Sequence, residues 1–121
     1  MRYPLRLISP RPEGALARVL AEAGVDPHGI AIIERKAGAV VVRVDRVAAP
    51  VANIVKQQLL SIGGDAAVHR DAITGGPPQS SVYIVADRNR LAQLPAKFAR
   101  QPFGLAELGA GIERLLGALE R

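Results

Sequence analysis

The chain has 121 residues, 16 of them basic and 11 acidic, for a formal net charge of +5, and it contains no cysteine. That length suits one domain with a core that needs no covalent staple. The missing cysteines exclude disulfides, iron–sulfur clusters, zinc–thiolate sites and cysteine nucleophiles, and fit a reducing compartment. No apolar run approaches the ~18 residues of a membrane helix. Met1 to Pro12 holds no apolar stretch of the secretory kind, so we expect a cytoplasmic domain with no membrane partner.

The first element is the short alternating run Leu5-Arg6-Leu7-Ile8, a candidate strand. Ser9-Pro10-Arg11-Pro12 interrupts it, and a helix is expected from about Pro12 with Leu16, Val19, Leu20 and Ala23 at helical spacing. Gly24 should end that helix as a left-handed cap, with Val25 packing back on the last turn. Asp26-Pro27-His28-Gly29 reads as a turn. Ile30–Ile33 and Val40–Val44, separated by the polar Glu34–Gly38 segment, read as a hairpin that supplies the second and third strands.

Pro50 opens the clearest helix, with Val51, Ile54, Val55, Leu59 and Ile62 on one stripe and Gly63-Gly64 at its end. Ala66–Val68 and Val82–Val85 follow as short strands, with the Gly- and Pro-rich stretch Thr74–Gln79 as a loop between them. Asp87 or Asn89 is the expected N-cap of the next helix, which Pro95 should kink or restart. Beyond Pro102 a last amphipathic helix carries Leu105, Leu108, Ile112, Leu115, Leu116 and Leu119. It runs to Arg121 without a capping glycine, as a chain followed by a further domain would.

Strands and helices interleave, but hairpins preclude an all-parallel sheet. The expected fold is therefore α+β: a mixed, mostly antiparallel sheet of four to five strands, helices packed on one face, with a ferredoxin-like variant as one arrangement.

The chemistry-bearing residues are sparse. His28 and His69 lie far apart, and no His-x-x-x-His spacing supports a metal site. There is no Walker A sequence, no G-x-G-x-x-G and no G-x-S-x-G. Gly63-Gly64 follows a helix instead of opening one, the wrong end for a phosphate. Thirteen of the basic residues are arginine, a residue suited to bidentate anion contacts, but they are scattered, and the four aromatics Tyr3, Tyr83, Phe98 and Phe103 are too few for base stacking. Nucleic acid is not an expected partner.

The candidates for binding or interface roles are Asn53, Lys56 and Gln57 on the flank of the central helix, with Asp65 and His69 at the ends of the next strand. Arg70, Arg88 and Arg90 form a possible anion site. No residue of the chain is assigned a catalytic or metal-binding role.

Two segments carry a resemblance. Ala52-Asn53-Ile54-Val55-Lys56-Gln57-Gln58-Leu59-Leu60-Ser61-Ile62-Gly63-Gly64-Asp65-Ala66-Ala67-Val68 and Gln101-Pro102-Phe103-Gly104-Leu105 resemble the N-terminal extension of some bacterial and archaeal dihydropteroate synthases, which adds Gln101 and Phe103 to the candidates. The resemblance is strong over Pro50–Val68, local at Gln101–Leu105 and weak before Arg46.

It implies folate biosynthesis: a transferase family that joins p-aminobenzoate to a dihydropterin diphosphate, with Mg²⁺ on the diphosphate, in a (β/α)₈ barrel. Such a barrel needs ~250 residues. Residues 1–121 would thus be one accessory domain preceding it, without cofactor or catalytic residues of its own. Its expected partners are that barrel, in the same or another chain, or a second copy through Leu108, Ile112, Leu115 and Leu119. The alternative is a free-standing α+β module that binds a small anionic metabolite or regulates another protein.

Overall fold

The computed structural model describes residues 3–8, 15–34 and 40–119. Four strands form one sheet: β1 (Leu5–Ile8), β2 (Val40–Ala48), β3 (Asp65–Ala67) and β4 (Gln79–Ala86). Their order is β1-β2-β4-β3, and every neighbouring pair is antiparallel. Because β2 and β3 both oppose β4, they run parallel to each other. The helix α3 (Ala49–Ser61) crosses from one to the other with β4 seated between them. This is a split β-α-β unit. Ferredoxin-like sheets add an outer strand to such a unit; here that strand, β1, comes before the unit in sequence.

The α+β class and the antiparallel sheet agree with the expectation from sequence, and the sheet has four strands among the described residues. The hairpin through Ile30–Ile33 does not exist. That segment belongs to the helix α2 (Pro27–Glu34), which follows α1 (Ala15–Glu22). Asp26, expected in a turn, caps α2: its Oδ1 accepts from the His28 N–H at 2.8 Å and its carbonyl from the Ile30 N–H at 3.0 Å. Pro27 then occupies the first helical position, where its fixed φ is favourable and its missing N–H costs nothing. The proposed start near Pro12, the Ser9–Pro12 break, the Arg35–Gly38 turn and the chain end at Arg121 lie outside the described residues.

The sheet is covered on both faces, where helices had been expected on one. Val42, Val44, Val82, Ile84 and Ala66 pack beneath Val51, Val55 and Leu59 of α3 and beneath the C-terminal helices. The alternate residues Val41, Tyr83, Val85 and Ala67 meet Leu20 of α1, Val25, and Ile33 of α2. Side chains of a strand alternate between faces, so β4, central in the sheet, is buried continuously from Val82 to Ala86.

The C-terminal third consists of α4 (Arg88–Leu91), α5 (Leu94–Phe98) and α6 (Leu105–Leu119). Asp87 is the cap of α4, accepting from the Arg90 N–H at 2.8 Å, and Pro95 marks the restart as α5. A Cβ on Gly109 would lie 3.1 Å from Pro95 Cα, so this glycine lets α6 cross α5 closely. Leu108 and Ile112, half of the face offered for self-association, are 1% and 0% exposed in the chain's own core; Leu115 and Leu116 pack partly against it.

Candidate functional site

A pocket of about 300 Å³ opens where α2, α3 and the outer edge of β3 meet. Its walls come from Val25, Asp26, Gly29, Ile32 and Ile33 on the α2 side and from Asn53 and Lys56 on α3. Asp65 to Arg70 form the floor, and Ile73 stands at the mouth. Five of the ten sequence candidates meet here: Asn53, Lys56, Asp65, His69 and Arg70.

Each element is placed by a local device. Gly24 and Gly63 have φ of +85° and +84° and end α1 and α3 in the same way. Val25 N–H donates to Leu20 O and Gly24 N–H to Ala21 O; Gly64 N–H donates to Leu59 O and Gly63 N–H to Leu60 O. This paired pattern is the Schellman cap; at Gly24 it turns the chain into the Val25–Asp26 wall and at Gly63 into the floor that starts at Asp65.

Lys56 and Asp65 act on the edge of β3. Lys56 Nζ donates to Ala66 O at 2.8 Å and to Asp65 Oδ1 at 3.2 Å, while the Ala66 N–H donates to that same Asp65 oxygen at 2.7 Å. The outward backbone groups of Ala66 are thereby satisfied, which closes the edge to another strand. Asn53 Nδ2 donates to Ala72 O at 3.1 Å and holds the 3₁₀ turn Ala72–Thr74 against α3. These three side chains shape the pocket more than they offer groups to it.

His69 packs against Gly24: a Cβ there would sit 2.4 Å from the imidazole Cδ2. Its Nδ1 accepts from the Asp71 N–H at 3.1 Å, which assigns the proton of a neutral ring to Nε2. Arg70 donates from Nε to Gly24 O at 3.3 Å, and its terminal nitrogens make no hydrogen bond to any described residue.

The other candidates are elsewhere. Gln57 is exposed on α3 and Arg88 on α4. Arg90 donates to Ile62 O at 3.0 Å and pairs with Asp87, tying α4 to the end of α3, so it does not join Arg70 in one anion site. Gln101 and Phe103 lie in the α5–α6 turn, where Phe103 takes φ of +63° and its carbonyl accepts from Tyr3 Oη.

A second polar cluster surrounds a bulge in β2 between Val44 and Val47, where Arg46 has φ of +57°. Asp45 accepts from Arg43 Nε and from Ser81 Oγ, each at 2.7 Å. Partial burial raises the Asp45 pKa, but these two hydrogen bonds and the Arg43 charge outweigh it and hold the carboxyl below the ordinary range. Among the described residues no three His, Asp or Glu side chains come together to hold a metal ion, and no helix is long and apolar enough to cross a membrane.

Sequence reading missed the α2 wall of the pocket because Ile30–Ile33 was assigned to a strand, and it passed over Ile73. The available signals were Asp26-Pro27 as an N-cap with a first-turn proline, and a lone isoleucine inside a polar loop.

Comparison with known proteins gives one weak relation. No family model matches the chain, and no solved structure matches it. A bifunctional dihydropteroate synthase/dihydropteroate reductase of Helicobacter pylori is 37% identical over 65 residues, which are 54% of this chain and 17% of that protein. The chain thus resembles a minor part of a longer folate-pathway enzyme.

Proposed function

We propose that this chain is a non-catalytic accessory domain of a dihydropteroate synthase-like protein, acting in folate biosynthesis by docking on the synthase barrel or holding copies of it together. The observation that carries this reading is the 37% identity to the bifunctional folate enzyme. The fold is in keeping with it, since a split β-α-β sheet of this size is not a (β/α)₈ barrel. The test is sedimentation of the chain with the dihydropteroate synthase barrel of the same source. Co-sedimentation at a fixed ratio is the expected result. Independent sedimentation, with synthase kinetics unchanged, would contradict the proposal.

One observation favours a second reading. Sixty-five residues are 17% of the relative, so that protein has about 380 residues. A barrel takes ~250 of them, and what remains is about the length of this chain. The reductase half of the relative's name would then belong to the part that resembles this domain. Reduction of a dihydropterin consumes a hydride and a proton, so it requires a hydride donor of the nicotinamide or flavin class. Conversion of dihydropteroate by the chain with reduced nicotinamide or reduced flavin would support this reading over the first.

A further inference from the structure

We infer that the pocket between α2, α3 and the β3 edge binds a small, flat aromatic or heteroaromatic monoanion, with Arg70 meeting the charge. The volume, about 300 Å³, stands at the low end for ligand sites, and apolar walls with a few placed polar groups are their usual lining. Val25, Ile32, Ile33 and Val68 supply those walls.

Two of the five large hydrophobic residues that the described chain leaves exposed, Ile32 at 36% and Ile73 at 84%, stand on this one pocket. Clustered exposed apolar surface marks a binding site more often than scattered exposure does. A flat ring between Ile32 and Ile73 would cover both.

The polar groups set the charge of the ligand. Lys56 is paired with Asp65, and Asp26 holds the N-cap of α2. Among the described residues Arg70 spends only Nε, on Gly24 O, which leaves its terminal nitrogens for a carboxylate or similar group. Asp26 and Asp65 are matched in number by Lys56 and Arg70, so the pocket is neutral overall. With Lys56 held by Asp65 and Asp26 turned to the α2 N-cap, Arg70 can meet one carboxylate, while a neutral pocket does not suit a polyphosphate. This inference does not depend on the folate reading: ligand binding would stand even if the chain ignored a synthase.

The test is calorimetric titration of the whole chain with 2-naphthoate, 2-naphthol and inorganic phosphate. We expect saturable binding of naphthoate, binding of naphthol weaker by about tenfold, as the loss of one charge-assisted contact implies, and none of phosphate. Arg70→Gln should weaken naphthoate by about the same factor and leave naphthol unchanged. Ile73→Asp, at an exposed position whose substitution leaves the melting temperature in place, should remove both. No saturation by naphthoate at millimolar concentration, or equal affinity in Arg70→Gln, would overturn the inference.

Discussion

At the scale of single residues, much of the architecture rests on glycines that hold left-handed backbone beside a packed neighbour. Gly24 and Gly75 both have strongly positive φ, but a Cβ at Gly75 meets nothing within 4 Å, whereas at Gly24 it meets the His69 ring. Gly75→Ala should therefore cost only the backbone term, about 1 kcal/mol, and Gly24→Ala at least about 2 kcal/mol. Urea unfolding of the two variants checks this, and equal losses would mean that His69 moves aside freely. Asp45 gives a prediction in pH. Its folded-state pKa is lowered, so its contribution is present above the ordinary carboxylate range near ~4 and is lost as pH falls through the lower folded value. Melting temperatures between pH 6 and pH 2 should fall less steeply for Asp45→Asn than for the parent chain; an unchanged slope would contradict the assignment.

At the scale of elements, the Lys56–Asp65 pair closes an edge. Asp65→Ala removes the acceptor of the Ala66 N–H and the partner of Lys56, with an expected loss of about 1–2 kcal/mol. It should also hasten aggregation, since an open edge pairs with other chains. Urea unfolding and light scattering on warming measure both, and a variant as stable and as monodisperse as the parent would remove the edge from the account.

Sequence made some of these elements plain and hid others for definite reasons. The glycine caps, the Asp87 cap, the α3 stripe and the Pro95 restart are local features, and each is readable from a few neighbouring residues. The helix α2 was not, because four apolar residues fit a strand or a helix equally until the capping role of Asp26 is considered. Of the pocket, the α3 and β3 residues were legible as chemistry-bearing positions. Their spending on backbone groups, and the contribution of Ile32 and Ile73, depend on contacts distant in sequence.

At the scale of the whole molecule, a split β-α-β sheet carries helices on both faces: α3 to α6 on one, α1 and α2 on the other. Covering the second face completes the pocket, since α2 adds its wall to the one that Asn53 and Lys56 of α3 supply. Half of the α6 face that sequence offered to a second copy, Leu108 and Ile112, is turned inward into the core, while Leu115 and Leu119 are only partly buried. Phe103, in its left-handed turn at the start of α6, stays half exposed.

The proposed role joins this domain to a dihydropteroate synthase barrel. The measurement that tests it most directly is isolation of the natural protein from its source cells with an antibody to this chain, followed by peptide sequencing of the purified material. Synthase barrel peptides are expected in stoichiometric amount, in the same polypeptide or in a bound one. Peptides of this chain alone, at 12.8 kDa, would contradict that role.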